Sequence, residues 1–326
     1  MTSQIATPRS QRREMNEQAI YNFLCEKGRR VRAYTQIGLW FMALILLLGA
    51  LVSCVPLTVI NALTPTDSYT RQVGIRYGTS PRNMLDIYTP RNAGHAAPVV
   101  VFFYGGSWNS GDRADYKFVG EALASRGFVT VLADYRLYPA VRYPDFLEDS
   151  AQAVAWVANE VQRYGGDPKR LFLMGHSSGA YNAAMVALDA RLLARYGMTP
   201  AALLGWIGLA GPYDFIPIEN VDVRPVFFFP DTPVDSQPIN QVTDTAPPAL
   251  LIASTKDELV NPRRNTGGMA NKLRAAGVSV QEVYFDNTSH ASLVGSLSRP
   301  LRGLAPTLDL VAKFVATEGG RVTVQK

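Results

Sequence analysis

The hydrophobic positions of the chain fall into three regimes. Residues 37–63 are apolar and carry no charged side chain. Residues 64–69 are short and polar, with Pro65 and Asp67, and read as a linker. From residue 70 onward, short apolar runs alternate with longer stretches whose apolar residues recur at helical spacing. The short runs predict strands at 72–77, 84–88, 99–104, 129–133, 171–174, 203–209, 249–253 and 278–285. The longer ones predict helices at 114–125, 146–164, 179–196, 262–276 and 305–316. Inner runs such as VVVFF, beginning at Val99, are continuous and not alternating, as befits strands covered on both faces. This alternation predicts one α/β domain over 70–326, a mostly parallel eight-stranded sheet with helices on both faces. Residues 211–247 break the rhythm: they are rich in Pro and Asp and carry FFFP at Phe227 to Pro230, the pattern of an irregular insertion with a local apolar plug.

The first regime is long enough to cross a bilayer as a helix and shows no polar face. It predicts a transmembrane anchor over 37–63, preceded by a basic cytoplasmic region over 1–36. Residues 1–34 carry seven Lys or Arg and three Glu, so the body should lie on the periplasmic or extracellular side. LVSC, ending at Cys54, resembles a lipoprotein processing site, which would make the segment a cleaved and lipidated signal instead.

Charge and composition narrow the function. The formal charge of +5 sits mostly in the N-terminal region, which leaves the body close to neutral and argues against a nucleic-acid partner. The only cysteines are Cys25 and Cys54, so the body holds no disulfide framework, thiolate nucleophile or cysteine metal site.

Candidate chemistry begins at Gly175-His176-Ser177-Ser178-Gly179, a G-x-S-x-G between an apolar strand and a helix. This is the setting of a nucleophile elbow, which exposes the serine at the carboxyl end of the strand and turns the amide of Ser178 toward the same space. A serine hydroxyl needs a base. Of three histidines, His176 sits inside the elbow and is expected to point elsewhere, and His95 falls in a surface loop. His290 follows the last strand and is left by elimination. Asp257, between serine and histidine in chain order, is the expected orienting carboxylate; Glu258 is its competitor, and Asp286 lies close to the strand end. FFYGGSWNSG follows the third strand, where Gly105 and Gly106 let amides approach a developing oxyanion.

With these motifs in place, the chain resembles the α/β-hydrolases. The branch it resembles includes hormone-sensitive-lipase-like esterases, feruloyl-type esterases and kynurenine formamidase-like enzymes. LDIYTP at Leu85, DYRLYP at Asp134, GGDPKRLFLMGHSSGA at Gly165 and PPALLIASTKDELV at Pro247 carry the likeness, over residues 70–318. The resemblance implies a serine hydrolase acting on a small-molecule carboxylic ester, with no cofactor and no metal. Amide cleavage, as by an arylformamidase, is the nearest alternative, and a catalytically silent binding protein is the other class. The branch usually has His-Gly-Gly-x-Trp in the oxyanion loop. Here Tyr104 stands in the histidine position, with Trp108 retained, so Tyr104 is expected to brace the loop differently. Oligomeric state is not encoded in any of these features.

Overall fold

The computed structural model describes residues 57–92 and 96–319, together with Lys27, Gln36, Gly38, Trp40 and Met42. His95, Cys25, Cys54 and residues 43–56 of the expected membrane segment lie outside the described residues. Among the described residues, no helix is long and apolar enough to cross a membrane.

The compact unit that carries the elbow begins at Leu57, within the stretch the hydropathy pattern assigned to the span. Residues Leu57–Ala62 form a short helix, α1. Its Asn61 side chain donates to the Ala114 carbonyl at 2.9 Å and accepts from the Phe118 amide at 3.3 Å. Lys117 Nζ reaches the carbonyls of Asn61 and Thr64. The end of the apolar run is therefore built into the body, and the boundary lies ahead of the linker expected at 64–69. Hydropathy cannot separate a short helix docked on the body from the end of a span.

All eight expected strands are present: β1 (Tyr69–Arg76), β2 (Met84–Pro90), β3 (Ala97–Phe103), β4 (Val129–Ala133), β5 (Gly166–His176), β6 (Leu203–Leu209), β7 (Ala249–Ser254) and β8 (Val280–Phe285). They form one sheet in the order β1-β2-β4-β3-β5-β6-β7-β8. Only β2 runs against its neighbours, pairing antiparallel with β1 and β4. β5 lies between β3 and β6, so its carboxyl end opens at the middle of the sheet. It starts earlier than its apolar core predicts, because pairing of Gly166 with Ala97 recruits the polar GDPKR into the ladder. β3 and β4 are buried almost throughout, and each large apolar side chain there stabilises the fold by about 1.5–3 kcal/mol.

The flanking helices are α2 (Lys117–Ala124), α3 (Asp145–Glu160), α4 (Ser178–Leu188), α5 (Ala190–Ala194), α6 (Gly268–Ala275), α7 (His290–Gly295) and α8 (Thr307–Ala316). α4 is buried on every side, which suits its continuous run of small and apolar residues. The single helix expected over 179–196 is broken at Asp189. That residue leaves the helical region, with φ −85° and ψ 98°, and its carboxylate caps the Arg191 amide of α5. The insertion at 211–247 contains three short 3₁₀ turns, and its apolar plug is one residue deep: Phe227 is buried while Phe228 and Phe229 are exposed.

Candidate active site

The turn from β5 to α4 is as tight as a polypeptide allows. A methyl group on Gly175 would lie 2.1 Å from the Gly179 carbonyl oxygen, and one on Gly179 would lie 2.0 Å from that of Phe103. Only glycine fits at either place, which explains the bracketing pair. Ser177 between them holds φ 55° and ψ −125°, a strained conformation for a residue with a side chain. Ser178 is the first residue of α4, so its amide has no acceptor within the helix.

The structure brings Ser177, His290 and Asp257 into one line. Ser177 Oγ lies 2.8 Å from His290 Nε2, and His290 Nδ1 lies 2.7 Å from Asp257 Oδ2. Asp257 is nearly buried, and its other oxygen accepts the amides of Leu259 and Val260 at 2.9 Å each. Burial disfavours its ionised form. The hydrogen bond and charge of His290, with those two amides, outweigh burial and hold the carboxyl below its usual range. The competitors Glu258 and Asp286 are both exposed.

His290 opens α7, a helix too short for hydrophobic periodicity to show. Ser289 and Ser292 form a capping box at its first turn. Ser254 Oγ, at the end of β7, donates to the Thr288 carbonyl at 2.5 Å and ties the loops of Asp257 and His290 together.

His176 does not point away from this line. Its Nε2 lies 2.9 Å from the His290 carbonyl oxygen, and the two rings are 4.9 Å apart.

Tyr104 is buried beneath the loop that follows β3. Its ring stacks on Tyr135 at 4.8 Å and on Tyr116 at 5.9 Å. Its hydroxyl accepts Arg82 Nη2 at 2.6 Å, and Tyr135 donates to its carbonyl at 2.7 Å. Arg82 also reaches the carbonyls of Gly111 and Tyr135. Arg113, on the same loop, pairs with Asp86 at 2.8 Å and with Asp134. Burial would make Arg113 easier to deprotonate, but its bonds to Asp86 and Asp134 outweigh that and raise its pKa. None of these charged partners was singled out by the sequence.

Within the loop, burial pushes the Tyr116 hydroxyl up to about 12, opposed by the Gly105 amide that faces it. Ser107 and Trp108 follow with φ 51° and 58°. Ser107 lines the same cavity as Ser177, Ser178 and His290, although sequence reasoning passed over it. Trp108 donates from Nε1 to Asn182 Oδ1 at 3.0 Å, and its ring meets the edge of Phe227 at 4.8 Å. Phe227, from the insertion, thus sets the position of the tryptophan beside the serine.

The cavity over Ser177 holds about 230 Å³. Trp108, Phe215, Ile218 and Val223 give it an apolar side, and Asp214, Glu219 and Arg264 a polar one. Arg264 is pinned by Asp214 at 3.1 Å. This arrangement can place a carbonyl carbon beside an activated hydroxyl, with amides at hand for its oxygen.

Comparison with known proteins follows the same lines. Residues 85–223 match the BD-FAE family model. The isoprenylcysteine alpha-carbonyl methylesterase of Arabidopsis thaliana is 30% identical over 280 residues, 78% of this chain and 65% of that one. Esterase LipC of Mycobacterium tuberculosis is 30% identical over 230 residues, 65% of this chain and 57% of its own. The chain spans about half to two thirds of the length of the curated relatives it matches. Among solved structures, a truncated carbohydrate esterase from gut microbiota superposes with a TM-score of 0.66 at 18% identity, covering 79% of this chain and 99% of that one. Apo Thermogutta terrifontis esterase 2 gives 0.64 at 23% identity, covering 78% and 97%. At such identities the structures speak for the fold and the sequence relatives for the branch: the chain has the α/β-hydrolase fold, and its sequence likeness is to carboxylesterase-type members of that family.

Proposed function

We propose that the protein is a serine hydrolase that cleaves carboxylic esters, with a preference for short acyl groups. The observation that carries this reading is the hydrogen-bonded line from Ser177 through His290 to Asp257, opening on a small cavity. Ser177 Oγ attacks the ester carbonyl as His290 Nε2 takes its proton, and His290 returns that proton to the leaving alcohol. Water then repeats the sequence on the acyl-enzyme. Asp257 holds the imidazole and stabilises its charged form. The backbone amides of Gly105, Gly106 and Ser178 are the donors proposed for the oxyanion.

The names of the plant and mycobacterial relatives, methylesterase and esterase, favour an ester over an amide. A small cavity supports short acyl groups, since each misfitting methylene costs about 1–3 kcal/mol. Fluorophosphonate labelling of Ser177 and a p-nitrophenyl series from acetate to palmitate test the reading. Labelling with a maximum at short acyl chains supports it; no labelling, or a maximum at laurate or longer, overturns the activity or the chain-length preference respectively. Paired ester and anilide substrates test the ester choice.

The reading extends to location. The uncharged run ahead of α1 and the basic residues before it support anchoring with the catalytic body on the periplasmic or extracellular side. Retention of the full chain in membranes after alkaline carbonate extraction checks the anchor, and loss of that retention in Cys54→Ala would assign it to lipidation.

A further inference from the structure

His176 is the last residue of β5 and the immediate neighbour of Ser177. Its side chain is buried, and Nε2 faces the His290 carbonyl oxygen at 2.9 Å. A carbonyl oxygen only accepts, so Nε2 carries the proton and Nδ1 is the bare nitrogen. Nδ1 is fully buried and has no hydrogen-bond partner in the protein. A second proton there would be an orphaned buried donor, which the site disfavours strongly. The ring is thus held neutral and in one tautomer.

Three parts of the site meet on this ring. It belongs to the elbow, and it grips the main chain of the base-bearing helix. It also lies against the oxyanion loop: a methyl group on Gly105 would stand 2.9 Å from Ser177 Cβ, 3.0 Å from the His176 carbonyl oxygen and 3.1 Å from His176 Nδ1. The charged and titratable groups that bear on its protonation are His290 and Asp257.

We infer that His176 is a positioning residue, whose Nε2–H clamps the His290 main chain so that the imidazole stays at the serine through both half-reactions. Asp257 alone fixes the direction of the His290 ring but not the distance of its backbone from Ser177. The capping box fixes the first turn of α7 but makes no bond to the elbow. The clamp is the direct link between the residue beside the nucleophile and the residue that carries the base. Its neutrality matters as well, because His290 becomes a cation in each tetrahedral intermediate with its ring 4.9 Å away.

The inference rests on Ser177 and His290 being nucleophile and base. It is tested in the full chain with His176→Met, which keeps the length without a donor, and His176→Gln, whose amide restores an N–H at the reach of Nε2. kcat, KM and pH profile on p-nitrophenyl acetate are read together with the rate of fluorophosphonate labelling. His176→Met should lower kcat and the labelling rate by ~10- to 100-fold with KM within ~3-fold, since ~1 Å of misplacement at a reacting pair has effects of that size. His176→Gln should recover kcat to within ~5-fold of the wild type, with the acidic limb of the profile unmoved. A folded His176→Met with wild-type kcat overturns the clamp. So does a Gln variant as impaired as the Met variant, or one with an altered acidic limb, which would make His176 a titrating participant. If His176→Met does not fold, the Gln variant decides by the same criteria. A wild type with no fluorophosphonate-reactive serine overturns the underlying reading instead, so the two failures are separable.

Discussion

Two buried polar networks flank the oxyanion loop, and they are built from different chemistry. Beneath the loop, Arg82 and Arg113 face Asp86, Asp134 and the Tyr104 hydroxyl. Above it, Ser177, His290, Asp257 and His176 form a line with one carboxylate, two imidazoles and a hydroxyl. The lower network sets two guanidinium groups, which stay charged, against two buried carboxylates. Such a set is rigid and nearly neutral, and fit to hold backbone in place. The upper one holds the imidazole proposed to gain and lose a proton, His290, beside the neutral His176, and leaves the serine and that base facing a cavity. A fold that must aim amides while moving protons separates the two tasks: arginine where charge must not change, histidine where it must.

That separation predicts opposite signatures. Ser177→Ala should lower kcat by ~10⁴-fold or more while leaving the urea midpoint close to that of the wild type. His290→Ala should behave alike. A folded Ser177→Ala that keeps more than a tenth of wild-type kcat would remove the upper network from the chemistry.

Arg113→Met should act first on stability. It leaves Asp86 and Asp134, each almost fully buried, without their main partner, a loss of about 3–5 kcal/mol for a broken buried pair. The urea midpoint should drop, with activity following only as the loop loosens. Wild-type stability in this variant would show that the lower network does not brace the loop.

A smaller effect separates the networks by pH. Burial, then the neighbouring charge of His290, pushes His176 down to about 3. In the unfolded chain it titrates near ~6.5, so its contribution to stability is complete above that pH and fades as the pH falls toward the folded value. Between ~pH 6.5 and ~pH 4.5 the loss should be about 2–3 kcal/mol, read from urea unfolding. Asp257, also depressed, loses its contribution only below the ordinary carboxylate range. His176→Gln should flatten the first of these slopes. An unchanged slope would mean that another group titrates there.

The upper network was largely legible in the sequence and the lower one was not, for a topological reason. Ser177 sits in a local five-residue pattern, and Asp257 and His290 follow the ends of strands that are sequential across the sheet. Strand order therefore carries chain order into space. The lower network crosses the part of the sheet where order reverses, β2-β4-β3, so Arg82 reaches Tyr104 and Arg113 reaches Asp86 across elements that chain order does not bring together. His176 was visible as a residue but not as a contact, since its partner lies 114 positions away. α1 was hidden inside an apolar run, and Asp189 breaks a helix whose hydrophobic period continues past it.

Tyr104→Phe is the mildest test and the one that bears on the lower network's purpose. The phenol supplies one acceptor for Arg82, at 2.6 Å. Arg82 keeps the carbonyls of Gly111 at 2.8 Å and Tyr135 at 3.0 Å, so the guanidinium is not orphaned when that oxygen is removed. The ring remains and still stacks between Tyr135 and Tyr116. A hydrogen bond to a charged group contributes about 1.5–3 kcal/mol, and part of that is recovered as Arg82 settles on its other acceptors. Activity should therefore fall by ~10-fold or less, with KM for p-nitrophenyl acetate almost unmoved. Tyr104→Ala, which also removes the stack, should cost far more in stability than in the chemistry of the molecules that remain folded. If Tyr104→Phe instead loses as much kcat as Ser177→Ala, the phenol takes part in the reaction, and the division between a network that braces and a network that reacts does not hold.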